Sequence, residues 1–530
     1  MLRGGVGGRT ARSRPSFDKQ AQEDGTAFKR LNEPVTLPLF VADTLAVLRS
    51  GNMESKEIAA ESLHVLLECA DHAKLVGHEG LKQLVGLAAS GSHSAQAHAA
   101  GAVGLMMGAN DEYAKEAIAL GIISPLAKVL RSGTGQVQEQ AAAAVASIAS
   151  IAVNIPVVVK AGIIPSLVGL LRTQNRHAAH VHASRALANL ATSTEVRAHV
   201  FKAGGVAPLL LLLDESHHSR AQEYAARALA SMSHENLAVQ REICAKGGVA
   251  LLLALLSDIN LDVQTQAARA LYELCQGVNG KHRRKTQDAL ARAGGIAPLL
   301  SAIESPHSKQ PLVEQATLAL AMVARTNRAN QDTIAAMGGL RALVDQLNSS
   351  RTEGGSNTAA AQAYAALAIK HICRGHVENQ TAVADLGAVA QLCALIRPNT
   401  SAINHDSHER SQIEAEAAGA LWILSEGHET NQTAIAGAGA IATLCQLLGS
   451  TFEGSQMHAG MALMAIAADS APNLTTTTQT LVAALQRNPA RGHEQKLAHL
   501  TPHLTPDRNP DRILTITLAS TLTLTLRLWP

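Results

Sequence analysis

The sequence predicts an all-α solenoid of about ten stacked repeats, and three observations predict it. A unit such as Gly204–Met232 returns along most of the chain at a spacing close to 42 residues. A leucine stands at a fixed place after the turn of every copy. A stripe of small apolar residues then closes the copy: Ala225, Ala228, Leu229 and Met232 fall at i, i+3, i+4 and i+7, the spacing of one buried helix face. A single unit cannot bury that face alone, so the copies have to stack.

Within this unit the pair Gly204 and Gly205 breaks one helix and turns the chain, and Pro208 falls in the first turn of the next, where its missing N–H costs nothing. Aligned on the residue before the second helix, the copies are anchored at Glu79, Gly121, Gly162, Gly204, Gly247, Gly294, Gly338, Gly387 and Gly439, at intervals of 42, 41, 42, 43, 47, 44, 49 and 52 residues. That period exceeds the ~33–34 residues of ankyrin or tetratricopeptide units. Five residues after every anchor stands a leucine: Leu84, Leu126, Leu167, Leu209, Leu252, Leu299, Leu343, Leu392 and Leu444. Nine after it stands a leucine or isoleucine, with Ala88 the exception. Offsets of five and nine lie four apart, hence on one helix face. Eight residues before the anchor, Asn154, Asn330, Asn379 and Asn431 are expected to supply a side-chain oxygen that caps a short first helix. Each unit therefore reads as short helix, glycine turn, second helix, loop and longer third helix. A partial copy at Val41–Ala70 offers only the second and third helices, as an N-terminal cap over the exposed core would.

Basic and acidic side chains nearly cancel, 45 against 43 for a formal charge of +2, so bulk electrostatics singles out neither nucleic acid nor an anionic membrane. Aromatic residues are 2% of the chain against 47% apolar overall, so the core must be Ala, Leu, Val and Ile packed closely between helices. The six cysteines (Cys69, Cys244, Cys275, Cys373, Cys393 and Cys445) follow no C-x-x-C spacing, which fits neither a disulfide framework nor a zinc ribbon. They read as buried thiols in a reducing compartment. No apolar run reaches the ~18–20 residues needed to span a bilayer, and no secretory h-region opens the chain. A soluble, cytoplasmic protein is the expectation, with the nucleus or a membrane periphery reached through a partner as the alternatives.

Residues 1–30, rich in Gly and Arg and without an acid before Asp18, read as a disordered leader, and the repeats occupy 31–470. The longer units owe their extra residues to loops at Gly277–Lys285, Ser305–Pro311, Ser349–Asn357 and Pro398–His408. Residues 471–530 form a low-complexity Thr/Pro/Leu tail, expected to be disordered. Its Leu/Thr alternation suits a strand, but an all-helical chain offers no sheet to join. The threonines and Arg527 oppose membrane insertion.

The G-G-[IV]-x-P-L turn into the second helix, the N-Q-[DT]-x-[IV] start of the first and the A-x-x-A-L-x-x-[LIM] third helix together resemble the armadillo repeat family. The resemblance implies a right-handed superhelix most like the armadillo-only and vacuolar-adaptor-like members. A HEAT-like solenoid is the alternative, but a two-helix unit has no need of the recurrent glycine turn.

Catalytic motifs are missing: there is no G-x-x-x-x-G-K-[ST], H-E-x-x-H or G-x-S-x-G, and the glycine pairs precede apolar residues instead of cradling phosphates. No cofactor is implied. His177, His180 and His182 cluster at the start of a third helix, but no Cys or carboxylate adjoins them as a metal site would want, and His217–His218 offers less. The basic run Lys281–Lys285 is expected in an inter-repeat loop, as a solvated charge run or a nuclear-localisation or acidic-partner patch.

The third helices carry the most informative feature. Arg185, Arg227 and Arg269 recur at one position of three consecutive units, 42 residues apart. At about 100° per residue Arg227 lies away from the Ala225/Leu229/Met232 stripe, as do Glu223, Tyr224 and Ser231, so all are expected to face solvent. The armadillo resemblance puts these arginines in a concave groove lined by third helices. Import receptors of the family carry Trp and Asn there for basic signals; here the Trp position holds the three arginines, and the Asn position holds Asn189, Ser231 and Glu273. Trp422 is out of that register. Lysine-rich cargo would be repelled. The reading is a non-enzymatic interaction scaffold whose groove residues Arg185, Asn189, Arg227, Ser231, Arg269 and Glu273 bind an extended, acidic protein segment, with no nucleic acid or small-molecule substrate. The alternative is the substrate-recognition part of an armadillo-containing ubiquitin ligase whose U-box is not visible here; a nuclear import receptor is disfavoured.

Overall fold

The computed structural model describes residues 37–487, apart from 134, 174–175, 215–217, 278, 349–357, 398–406 and 469. The regular elements among the described residues are all helices, and the chain divides between Ala203 and Gly204 into two compact units. In the first unit the third helices of successive repeats are α1 (Met53–Leu66), α2 (His93–Ala109), α3 (Gln136–Ile148) and α4 (His177–Leu190). In the second they are α5 (Ser219–Ser233), α6 (Leu261–Gln276), α7 (Gln310–Ala324), α8 (Ala359–Cys373), α9 (Ser407–Ser425) and α10 (Glu453–Ala467). Within each unit every one of these helices packs on the next in sequence. The all-α solenoid expected from the repeat period is the fold that forms.

Gly338 shows why the turn demands glycine. Its φ of 84° is left-handed, and from there its N–H closes the helix Arg328–Ala336 by donating to the Ala335 carbonyl at 3.1 Å. The neighbouring Gly339 is needed for room instead, since a Cβ there would stand 2.6 Å from Ile334 Cγ2. The anchors from Gly121 to Gly439 share the left-handed backbone, but the first expected anchor, Glu79, does not: the turn falls two residues earlier, at Gly77 with φ 61°.

Burial follows the register. The leucines five residues beyond the anchors are at most 1% exposed, and Ala225, Ala228, Leu229 and Met232 are fully buried. Small side chains let the third helices approach closely. A Cβ added to Gly104 on α2 would stand 3.0 Å from Ala144 Cα on α3, so the core fills without aromatics.

The recurrent asparagines do not cap their own helices as expected. Asn330 lies inside its helix, whose N-cap is Asn327, and it donates its amide to the Val323 carbonyl at the end of α7, 3.0 Å away. Asn379 and Asn431 likewise reach back to Ile372 (3.2 Å) and Leu424 (2.9 Å), and Asn154 to Ile148 (3.4 Å). A buried amide has N–H donors to place, and helix ends leave carbonyls to receive them. The next residue extends the pattern between repeats. Gln331 donates to Ala324 O on α7 at 3.3 Å and to His371 O on α8 at 2.8 Å.

Two boundaries differ from those read in the sequence. Lys281–Lys285 lies in the helix Gly280–Arg292, not in a loop; Asn279 caps it by accepting from the N–H groups of Lys281 and His282. The Gly-rich approach and unbroken charge hid a helix start. The stack also runs past 470. The helix Ala471–Arg487 packs on the helix Ala440–Leu447 and on α10, burying Leu474, Thr477, Thr478 and Leu481. Those residues keep the i, i+3, i+4, i+7 spacing that the threonine run disguised. The expected leader at 1–30, the rest of the tail, and the insertions Ser349–Asn357 and most of Pro398–His408 lie outside the described residues.

The cysteines are free, but not all are buried: Cys69 is exposed and Cys244 half-buried, while Cys275, Cys373, Cys393 and Cys445 are enclosed and burial pushes their thiols up. Ellman's reagent should therefore find one fast thiol in the native chain, lost in Cys69→Ser, and six after denaturation; fast reaction of several in the variant would contradict this packing. Gln331→Met should lower stability by about 1–3 kcal/mol, because two buried carbonyls lose their donor. An unshifted unfolding curve, followed by circular dichroism, would show that the bridge contributes nothing.

Candidate partner-binding surface

Arg227 on α5 and Arg269 on α6 occupy one position on two helices that pack together, and both are half-buried. Arg185 holds the same position on α4, in the first unit, and is half-buried there. Among the described residues none of the three forms an ion pair, whereas Arg176 pairs with Glu139 (3.0 Å), Arg328 with Glu378 (2.9 Å) and Arg410 with Glu414 (2.7 Å). Glu223 stands one turn before Arg227, and no ion pair joins the two among the described residues. Burial first, and then Asp262, push its carboxyl up against the opposing pull of Arg227.

The positions four residues further on behave differently. Ser231, expected to face solvent, is 5% exposed; Asn189 and Glu273 are equally enclosed. On an α-helix the fourth residue is rotated about 40° from the first, which carries it off the open face and into the stack. Asn189 donates its amide to Ala146 O on α3 at 2.9 Å, and Glu273 lies 3.0 Å from His234 Nδ1. Each of these side chains is thus packed within its own unit, four residues on from the arginine of its helix.

Beyond Arg269 the row stops, at Leu318, Leu367, Gly419 and Met461. Gly419 has a physical reason: a Cβ there would stand 2.9 Å from Lys370 Cδ, and Lys370 is buried across this point in a 2.5 Å pair with Glu416. Positive charge reappears at the helix ends, where the sequence reading missed it. Arg325 follows α7 and Arg374 follows α8, each thirteen residues before its anchor glycine. That shared offset was the available signal. Arg374 places its guanidinium carbon 4.9 Å from the ring centre of Trp422 on α9. Close by, burial and the cations Lys370, Arg325, Arg374 and Arg283 hold His371 down to about 3, while burial and Glu273 push Tyr272 up to about 12.

The histidine cluster gathers no metal site. His180 is buried with Nε2 2.7 Å from Thr173 O, burial and then Arg185 lower His182, and among the described residues no group of three or more metal-type ligands converges. His218 caps α5 by accepting from Arg220 N–H, while His217 lies outside the described residues.

Stacked three-helix units with glycine turns, closed by an open row of third-helix side chains, define an α-helical repeat scaffold. Residues 193–234 match the family model of the armadillo/beta-catenin-like repeat. The chain is 31% identical to an engineered protein of known crystal structure, over 81% of this chain and 98% of that one, with a TM-score of 0.66. Two further engineered proteins, 31% and 29% identical, cover 47% and 46% of this chain and 96% and 98% of their own, both at a TM-score of 0.42, which adds nothing to the fold assignment. No curated protein matches the chain. The chain belongs to the armadillo repeat family, and as such it is a scaffold for protein interactions. Among the described residues no single helix is long and apolar enough to cross a membrane.

The depressed His371 gives a pH dependence with a definite sign. Below the ordinary value of 6.5 the unfolded chain takes up a proton that the folded chain refuses until about 3, so stability rises with pH across that window. His371→Gln should flatten the fall in melting temperature on acidification below pH 6.5. An unchanged slope would mean that His371 is not held neutral.

Proposed function

We propose that this chain is a non-enzymatic scaffold whose third-helix face binds an extended acidic segment of a partner protein through Arg227 and Arg269, with Arg185 serving the first unit in the same way. The observation that carries this reading is that these guanidinium groups are half-buried yet form no ion pair among the described residues. A desolvated cation is costly when unpaired, and a planar guanidinium is suited to receive a carboxylate through two hydrogen bonds. Packed helices lie ~8–10 Å apart, and an extended strand advances ~3.3 Å per residue. Successive arginines therefore meet about every third residue of the ligand. Lysine-rich signals meet like charge on this face.

A fluorescein-labelled peptide with glutamate at every third position should bind the full chain, and should bind more weakly as salt is raised. Arg227→Glu with Arg269→Glu should weaken that binding tenfold or more, since each lost charge-assisted bond counts for about 1.5–3 kcal/mol, with helical circular dichroism unchanged. Preference for the matching lysine peptide would overturn the reading.

A further inference from the structure

The groove reading leaves a second set of cations unused. Arg325 and Arg374 stand immediately after α7 and α8, and Arg283 lies in the first turns of the helix Gly280–Arg292. Hydrogen bonds join the helix ends that carry them within the second unit. Gln287, one turn beyond Arg283 on the same helix, donates to Met322 O at 2.6 Å and to the carbonyl of Arg325 at 3.0 Å. Arg284 donates to Thr326 O at 3.0 Å. A Cβ added to Gly277, at the end of α6, would stand 3.2 Å from Arg283 Cβ, so this arginine sits beside that helix end. Gln331 ties the end of α7 to that of α8 through Ala324 O and His371 O. The Arg374 guanidinium is stacked on Trp422.

None of the three arginines forms an ion pair among the described residues. The neighbouring acids are engaged elsewhere: Asp288 with Arg284 and Asn327, Asp332 with Arg328 and His376, and Glu378 with Arg328. Glu426 holds the corresponding place after α9, which ends the basic run. Three unpaired guanidinium groups supply more donors and charge than one carboxylate accepts. A phosphomonoester, with about −1.5 to −2 charges and three acceptor oxygens, matches them. A nucleic-acid strand fits less well, because it carries a phosphate at every nucleotide, whereas the basic run here is three arginines and ends at Glu426.

We propose that Arg283, Arg325 and Arg374 receive one phosphorylated side chain of the extended partner segment, with Trp422 holding the Arg374 guanidinium in position. The proposal rests on the groove reading, since it assigns a modification to the segment bound there.

The test uses the full chain and fluorescent peptide libraries with glutamate at every third position and a central serine, glutamate or phosphoserine, together with a single-stranded oligouridine of similar length. The phosphoserine library should bind at least tenfold more tightly than the serine library. Arg325→Gln with Arg374→Gln should abolish that preference, leave the glutamate-peptide binding that depends on Arg227 and Arg269 in place, and melt no lower than the parent. Equal affinity for serine and phosphoserine, a preference that survives the double variant, or tighter binding of oligouridine would overturn the phosphate site alone. Failure of every acidic peptide to bind would overturn the groove reading with it.

Discussion

An α-helix that ends inside a packed protein leaves its last carbonyls without partners, and this chain ends a helix about three times in every repeat. Side-chain amides meet the demand. Gln240 donates to Ser233 O and Glu273 O, Gln287 to Met322 O and Arg325 O, and Gln380 to Ile423 O and Glu426 O, each from a buried place on a first helix. A second series closes the second helices: Gln222 reaches Asp214 O at 3.0 Å, Gln362 reaches Leu347 O at 2.9 Å and Gln456 reaches Ser450 O at 2.6 Å. Apolar packing alone would let one helix slide along another, because it is not directional. Amides with fixed acceptors set the register, and with it the height at which each third helix presents its open residues.

That arrangement also explains how a chain so poor in aromatics fills its core. Alanine and glycine at the third-helix contacts, as at Gly104 against Ala144, bring backbones close enough for many small contacts to replace a few large ones. The open faces of the same helices then lie in shallow, partly desolvated surroundings. Arg227 and Arg269 are half-buried there and form no ion pair among the described residues, with Glu223 acting on Arg227 from one turn away.

What was legible in the sequence follows from how strictly each residue is constrained. The leucines after each anchor were readable because burial admits few alternatives, and all of them are inside. The glycine anchors were readable because left-handed backbone is costly for other residues, and the one misplaced anchor, Glu79 for Gly77, is the one that was not glycine. At Asn330 the sequence pattern marks a recurrent polar residue but not the direction of its hydrogen bond, which runs back to Val323 O instead of forward as a cap. Ser231 falls on the open side of a helical wheel, which treats a helix as isolated and omits the neighbour that covers its flank, and it is buried. The helix over Lys281–Lys285 escaped because tertiary contacts, including Gln287 on the end of α7, hold a segment whose local composition reads as loop.

The candidate surface was only half legible for a related reason. Arg227 and Arg269 announced themselves by an equal spacing within a regular helix, whereas Arg325 and Arg374 sit just past helix ends, where unit lengths vary and periodicity from the previous repeat fails. Counted back from the following anchor glycine, the two arginines fall into step. At one later step, Gly419, the loss of the third-helix side chain has a local cause. Lys370, tied to Glu416, crosses the place where the third-helix position becomes Gly419, so a long side chain there would collide with a buried ion pair. At the end of α8 the Arg374 guanidinium has the aromatic face of Trp422 to support it.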